Sequence, residues 1–380
     1  MKRLAIFGST GSIGVSTLNI VRRYPNKFKA VTLVAGRNLP LLTRQIQEFE
    51  PQQVYIAAQQ DAEELRRQFP HISVYWGEEG MEEISSLSDY DLGVSALVGV
   101  AGLRPTYNMI CAGKDVALAN KEVLVAGGST VMDAAKAHKV QLVTIDSEHS
   151  AILQCLRGEN HGEIDKLLLT ASGGPFFDKP LDDTITPQQA LAHPTWNMGP
   201  KITIDSATMM NKGFEVIEAR WLFDVLPKNI EVVVHRQSLV HSMVQFVDGT
   251  IMANIAPTSM EIPIAYALNY PNRLPNDQQK LDLFQIGSLK FEKPDLQKFA
   301  CLRLALEAAE SGHSAQVVLN AANEVLVAAF LAGKIPFTQI PRQIEAALER
   351  HNGCSLSSID DILALDAHTR RLTQEAVQRL

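Results

Sequence analysis

Cysteine is scarce: Cys111, Cys155, Cys301 and Cys354 are the only four in 380 residues, and no two form a C-x-x-C pair. That excludes a disulfide framework, offers no structural zinc site and fits a reducing cytoplasm. Positive charge is not in excess either, since 35 Lys and Arg face 42 Asp and Glu for a net charge of −7. A nucleic-acid backbone would meet no broad positive field. No apolar run approaches the roughly 18 residues of a membrane span, and the opening stretch Leu4 to Phe7 is cut short by Gly8-Ser9-Thr10-Gly11 before it reads as an export signal. The expectation is a soluble, cytoplasmic protein that binds neither nucleic acid nor membrane. Internal repeats and low-complexity tracts are missing too. With 46% hydrophobic and 20% charged residues, what remains is a globular chain long enough for two or three domains.

Up to about Ile145, short β-branched runs alternate with helical stretches: Leu4 to Phe7, Val31 to Ala35, Val54 to Ala57, Asp91 to Val94, Val116 to Ala119 and Leu142 to Ile145. That rhythm predicts an α/β fold with a Rossmann-like parallel sheet over residues 1–145. Residues 146–270 read as a central α+β domain, because two strand-like runs, Met243 to Val247 and Thr250 to Ile255, flank Asp248-Gly249, a dipeptide suited to a primed hairpin turn. Residues 271–295 are rich in Pro, Asn, Asp and Lys and read as a connector. Residues 296–380 give helical patterns only, with Gly312, Gly333 and Gly353 placed as stops and Ser358 and Asp361 at capping spacing, so a C-terminal α-helical bundle is predicted.

Gly8-Ser9-Thr10-Gly11-Ser12-Ile13-Gly14 follows the first strand and opens a helix. Small residues let a backbone approach a pyrophosphate, whose charge the free amides and dipole of the helix start offset. The spacing is a variant of the dinucleotide pattern, and a tight turn without ligand would look the same. The second strand ends in Ala35-Gly36-Arg37-Asn38, with no acidic residue for a ribose 2′-hydroxyl, and Arg37 suits a 2′-phosphate, which points to NADP(H); a solvated loop cation is the alternative. Asn120, Lys121 and Glu122 end another strand, where they either face the nicotinamide ribose or, in the case of Asn120, cap the next helix.

Asp146-Ser147-Glu148-His149 follows the last parallel strand, and i, i+2 spacing puts Asp146 and Glu148 on one side of an extended chain. Two converging carboxylates repel unless a cation lies between them, and oxygen ligands alone suit Mg²⁺ or Mn²⁺. A solvated, helix-capping turn is the alternative. Asp205-Ser206-Ala207-Thr208-Met209-Met210-Asn211-Lys212-Gly213-Phe214-Glu215 then runs into a helix. Ser206, Asn211 and Lys212 make a cradle for a phosphate monoester, and periodicity leaves open whether Glu215 or Glu218 is a third ligand. Thr170-Ala171-Ser172-Gly173-Gly174-Pro175 offers a second phosphate loop or a plain Gly-Gly turn. His193-Pro194-Thr195-Trp196-Asn197-Met198-Gly199-Pro200 reads as a flap over a ligand or as a connector whose indole packs inward.

Taken in order, these segments resemble 1-deoxy-D-xylulose 5-phosphate reductoisomerases. The resemblance rests on GSTGSIG from Gly8, AGRN from Ala35, LANKE from Leu118, DSEH from Asp146, ASGGPF from Ala171, HPTWNMG from His193, DSATMMNKGFE from Asp205 and NAANE from Asn320. It implies a homodimeric, NADPH- and divalent-metal-dependent enzyme of the methylerythritol phosphate route to isoprenoid precursors. Such an enzyme turns 1-deoxy-D-xylulose 5-phosphate into 2-C-methyl-D-erythritol 4-phosphate. By resemblance, Asp146, Glu148 and Glu215 bind Mg²⁺ or Mn²⁺. Ser172, Ser206, Asn211 and Lys212 hold the substrate phosphate with His193, while Trp196 and Met198 belong to the flap. Ser147 and Lys121 line the site, and Lys121 and His193 join the metal ligands as catalytic residues. Thr10, Gly11, Ser12, Ile13, Gly36, Arg37, Asn38, Asn120, Lys121, Glu122 and Gly199 contact NADPH. Where the family often reads His-Pro-Gln-Ser, this chain has His235-Arg236-Gln237-Ser238, and Ala256-Pro257-Thr258-Ser259 replaces a more usual Pro-Asp pair.

Two rival readings fit the same residues. One is another NADP-dependent, metal-assisted sugar-phosphate dehydrogenase without rearrangement; the other is a non-catalytic NADP(H) sensor, which would not need three carboxylates.

Overall fold

Apolar residues on both faces of a strand mark a sheet covered by helices on either side, and the first strand shows this, with Leu4, Ala5 and Ile6 fully buried. In the computed structural model, which describes residues 1–277 and 280–380, seven such strands form one sheet. They are β1 (Lys2–Phe7), β2 (Phe28–Ala35), β3 (Gln53–Ile56), β4 (Ser73–Tyr75), β5 (Leu92–Ser95), β6 (Asp115–Leu118) and β7 (Leu142–Thr144). Their order is β4-β3-β2-β1-β5-β6-β7, and every pairing is parallel. The order reverses between β1 and β5, and in such sheets ligands collect beyond the strand ends at that point. Six of these strands are the ones the β-branched runs predict. The exception, β4, is three residues at the sheet edge, too short to show a period.

The chain divides into two units. Met1–Val123, Val131–Asp146 and Ser259–Asp277 make the first, and the second contains Leu124–Thr130, Ser147–Thr258 and the C-terminal part. This partition differs from the expected domains: Leu124–Thr130, inside the expected 1–145, belongs to the second unit, and Asp146 belongs to the first. Ser259–Asp277 folds with the parallel sheet: Lys2 Nζ donates to Leu268 O at 2.8 Å, and Arg23 Nη2 to Glu261 Oε2 at 3.2 Å. The C-terminal helices Ala300–Ser311, His313–Leu331, Gln339–Glu349 and Ile359–Val377 share one unit with residues 147–258. A single apolar cluster explains why, because Met210, Phe214 and Ile217 pack with Ala305, Leu326 and Phe330.

The second unit also holds a four-stranded sheet, β8 (Ile164–Ala171), β9 (Ile230–Val234), β10 (Val240–Phe246) and β11 (Ile251–Ile255), ordered β11-β10-β8-β9. β10 is antiparallel to both neighbours and β8 is parallel to β9. The β10–β11 hairpin is present, but its turn is not primed. Gly249 N donates to Phe246 O at 2.9 Å and Phe246 N to Thr250 O at 2.9 Å, and within the turn only Gly249 has positive φ. A primed type I′ turn needs positive φ at both central residues; this is a three-residue loop with glycine in the left-handed position.

The Ser358–Asp361 capping box forms as expected, and Gly312, Gly333 and Gly353 end their segments at positive φ. His313–Leu331 is long and apolar enough to cross a membrane, and 78% of its apolar window is buried inside the protein, as in a core helix. All four cysteines are free, Cys155 and Cys301 buried and Cys111 and Cys354 exposed. Burial pushes the Cys155 thiol up to about 11 and the Cys301 thiol up to about 12.

Candidate active site

The loop after β1 leads into the helix Ser12–Arg23, whose N-cap is Gly11, with no side-chain cap and no acidic residue in its first turn. Its own first turn thus places no carboxylate at the leading amides, the arrangement that suits an anion. A Cβ on Gly14 would lie 2.2 Å from Gly8 O and 2.5 Å from Ser9 Cα, so only glycine lets the helix close on the loop. Gly11 and Ser12 are exposed and Thr10 and Ile13 half-buried. Beyond β2, Gly36, Arg37 and Asn38 are all exposed, and Asn38 caps the helix Leu39–Phe49 by accepting from Leu41 N at 3.2 Å.

Asn120 makes the capping contact, one of its two expected roles. Its Nδ2 donates to Leu97 O at 2.6 Å and Gly99 O at 2.9 Å, and its Oδ1 accepts from Val123 N at 3.3 Å. The amide is spent on shaping the loop beyond β5. Glu122 and Lys121 are buried beside it, and Lys121 Nζ sits 2.5 Å from Asp146 Oδ2.

Asp146 and Glu148 do not converge by strand alternation, because Ser147 already begins the helix Ser147–Cys155. Asp146 is the last residue of the first unit and is peptide-bonded to that helix, so two residues of chain place it next to Glu148. Glu215 arrives on the helix Met210–Leu222 and is 1% exposed. One oxygen each from Asp146, Glu148 and Glu215 lies within 4.8 Å of the others. Lys212 Nζ bonds Glu215 Oε2 and stands 3.9 Å from Glu148 Oε2. Asn211 Nδ2 donates to Glu215 Oε1 at 2.7 Å, and Ser147 Oγ to Glu148 Oε2 at 2.8 Å. An all-carboxylate set fits a hard divalent ion such as Mg²⁺ or Mn²⁺.

Glu218 goes elsewhere. His149, fully buried, places Nε2 2.9 Å from Glu215 O and Nδ1 3.5 Å from Glu218 Oε2. His149 therefore stands behind the carboxylates, a place that the sequence, which shows it only as the fourth residue of a motif, does not reveal.

Beyond β8, Gly173 and Gly174 both have positive φ, and a Cβ on Gly174 would lie 2.5 Å from Ser206 O. Glycine here presses the loop bearing Ser172 against the segment bearing Ser206. Ser172 Oγ and His193 Nε2 are 3.1 Å apart. His193 Nδ1 accepts from Thr195 N at 3.2 Å and Trp196 N at 3.0 Å, so in the neutral ring Nε2 carries the proton and donates to Ser172. Burial holds the His193 pKa below its ordinary 6.5. Residues 194–199 are irregular, with Trp196 and Met198 half-buried, and the Trp196 ring lies 6.2 Å from that of His241. Gly199 then caps the helix Pro200–Ala207. Arg236, where the sequence departs from the usual proline, pairs with Asp178 and lies 5.6 Å over the Phe177 ring; both charged groups are exposed.

A Rossmann-type sheet with an anion-ready glycine loop, in a chain that also carries an all-carboxylate centre beside hydroxyl, amide and ammonium donors, defines a metal-assisted, dinucleotide-dependent oxidoreductase. Relatives narrow this class. Profiles described as 1-deoxy-D-xylulose 5-phosphate reductoisomerase match residues 4–128, and those of its C-terminal domain match residues 142–223 and 255–372. The reductoisomerase of Geotalea uraniireducens (strain Rf4) is 49% identical over 379 residues, 99% of this chain and 98% of that protein. That of Bacillus cereus (strain Q1) is 47% identical over 380 residues, 99% of this chain and all of that protein. A crystal structure of DOX-P reductoisomerase in complex with NADPH, fosmidomycin and magnesium superposes with a TM-score of 0.95 at 41% identity, covering 100% of this chain and 98% of that one. The enzyme from Zymomonas mobilis in complex with NADPH gives 0.93 at 37%, with both chains fully covered. The chain belongs to the 1-deoxy-D-xylulose 5-phosphate reductoisomerase family.

Proposed function

We propose that this chain catalyses the NADPH- and divalent-metal-dependent conversion of 1-deoxy-D-xylulose 5-phosphate into 2-C-methyl-D-erythritol 4-phosphate. The observation that carries this reading is the meeting of Asp146, Glu148 and Glu215 within 4.8 Å, in a chain that matches reductoisomerases over nearly its whole length.

Asp146, Glu148 and Glu215 are the residues to hold the ion. When bound, Mg²⁺ or Mn²⁺ supplies Lewis-acid stabilisation of the oxygen charge that builds up as an α-hydroxy ketone rearranges, an effect of several kcal/mol. NADPH supplies the hydride. Lys212 and Asn211 fix the Glu215 carboxylate through their hydrogen bonds and, with Ser172 and Ser206, receive the phosphate. His193 holds Ser172 in place through its Nε2 proton. Trp196 and Met198 form the flap that closes over the sugar and keeps water out. Lys121, on Asp146, and Ser147, on Glu148, set the charge and orientation of two ligands. On the cofactor side, Thr10, Gly11, Ser12 and Ile13 offer the helix start to the pyrophosphate, and Gly36, Arg37 and Asn38 face the 2′-phosphate. Glu122 borders the nicotinamide end, and Asn120 shapes that wall. The remote phosphate supplies binding energy for orientation and closure.

Two copies of the chain form the working unit in this reading. The edge strand β11 supports that, since it leaves Ile251 50%, Met252 38% and Ile255 42% exposed. Four free cysteines suit the cytoplasm. The test is NADPH oxidation with the pentulose phosphate, with and without Mg²⁺ or Mn²⁺, followed by product analysis. A branched carbon skeleton formed only with the metal is expected; an unbranched reduced sugar, or activity indifferent to chelator, overturns the proposal.

A further inference from the structure

The Asn320-Ala321-Ala322-Asn323-Glu324 segment takes no part in the roles assigned above, yet both asparagines are fully buried in the helix His313–Leu331. Asn323 Nδ2 donates to Asp205 Oδ1 at 2.8 Å, and Lys201 Nζ holds the other oxygen, Oδ2, at 2.8 Å. Asp205 is 1% exposed. A carboxylate only accepts, so the contact decides which way the Asn323 amide points.

Asp205 and its partner Lys201 adjoin segments assigned to the phosphate. Asp205 itself is bonded to Ser206. Lys201 lies in the first turn of the helix Pro200–Ala207, immediately after the flap residues, and its ammonium sits 4.8 Å from the ring centroid of Phe214. Phe214 belongs to the helix Met210–Leu222, whose first turn carries Asn211 and Lys212. On the other side, Asn320 Nδ2 donates to Glu324 Oε1 at 3.1 Å, and Arg370 ties Glu324, at 2.8 Å, to Asp366, at 2.5 Å. The helix His313–Leu331 is thus tied to the last helix at Glu324 and, at Asn323, to the residue before Ser206.

We propose that Asn323 and Asp205 are positioning residues for the substrate phosphate: the helix His313–Leu331, through this hydrogen bond, sets the helix that carries Ser206 at one end and the foot of the flap at the other. The proposal rests on the assignment of Ser206, Asn211 and Lys212 to the phosphate. A hydrogen bond to a charged, buried partner is among the stronger kinds, and its loss leaves the carboxylate under-satisfied. Helix Pro200–Ala207 would then shift, while residues 1–123 gain or lose nothing.

The test uses the full-length enzyme. Asn323→Ala is expected to raise KM for the sugar phosphate about tenfold while kcat and the dissociation constant for NADPH change less than about twofold. The isosteric Asn323→Asp, which sets two carboxylates against each other, has the same sign and a larger size. The reciprocal exchange Asn323→Asp with Asp205→Asn restores one donor and one acceptor and recovers most of the loss, which a packing defect would not permit. Because coupled positions are not additive, Asn323→Ala adds little to the KM of Ser206→Ala. Multiplying effects, an equal fall in NADPH affinity, or no recovery on exchange overturns the proposal. If Ser206→Ala itself leaves KM unchanged, the phosphate assignment fails; if Ser206→Ala raises KM and the Asn323 variants do not, only the positioning role fails.

Discussion

The two units each carry a proposed anion-binding surface, and they build it from different materials. In the first, the loop Gly8 to Gly14 offers backbone amides at a helix start with no side-chain cap, and its shape depends on a missing Cβ at Gly14. In the second, the donors are side chains, and each is held by another: Lys212 and Asn211 by Glu215, Ser172 by His193. A backbone site fails first by steric intrusion, and side-chain charge around it adjusts its affinity rather than creating it. A side-chain site fails when one charge loses its counterpart, and tolerates bulk better than it tolerates neutralisation.

The sharpest way to break this contrast is Glu215→Gln. Volume is kept, but a buried ammonium, Lys212, loses its carboxylate and the ion loses a ligand. Turnover is expected to fall at least about a thousandfold, with the NADPH dissociation constant, from fluorescence titration, within twofold of wild type. Glu218→Gln, three residues on, faces His149 instead and is expected to lower turnover about tenfold at most. A comparable fall in NADPH affinity for Glu215→Gln would mean that the two surfaces are not independent.

Gly14→Ala tests the opposite case. The added methyl would come within 2.5 Å of two backbone atoms, so the loop must shift. We expect NADPH binding to weaken about a hundredfold and stability to drop about 2–3 kcal/mol, while Mn²⁺ titration of the carboxylate centre is unchanged. Weaker still is the effect of removing the one side-chain charge proposed for the nucleotide surface. Arg37→Ala should raise KM for NADPH about tenfold, leave KM for NADH and for the sugar phosphate alone, and so erode the cofactor preference. An unchanged NADPH KM refutes a 2′-phosphate role for Arg37.

What the sequence tells, and what it hides, divides along similar lines. The parallel strands are legible because β-branched runs repeat against glycine-marked turns, whereas β4, three residues long, carries no period. The Asp248-Gly249 turn is legible as a turn but not as a type, since that depends on the φ of Val247 and Asp248. Glu215 and Glu218 stand three apart on one helix face, so periodicity cannot separate them; the split comes from His149, sixty-six residues upstream. Asn120 likewise reads equally as a cap or a ligand until Leu97 and Gly99 appear beside it. The division of the chain is hidden for a related reason, because the cluster joining Phe214 to Ala305 and Phe330 is a long-range fact that no local pattern encodes.

The smallest expected effect concerns His193, which lies where side-chain recognition meets the flap. Burial lowers its pKa from 6.5, so the fold favours the neutral ring, whose Nδ1 accepts from Thr195 and Trp196. The unfolded chain takes up a proton first as pH falls. Stability from the neutral ring is therefore complete above pH 6.5 and lost as pH drops through the lowered folded value. Half-exposure limits the size: the acid side of the melting curve should differ between wild type and His193→Gln by about 1–2 °C. Inorganic phosphate opposes this trend, since a dianion near the ring favours its charged form. An NMR titration of the His193 ring should give a pKa below 6.5 without phosphate and a higher one with it. Were phosphate to leave the value unmoved while Lys212→Ala abolished phosphate binding, His193 would belong to the flap alone, and the second surface would recognise its anion through Ser172, Ser206, Asn211 and Lys212 without a titrating group.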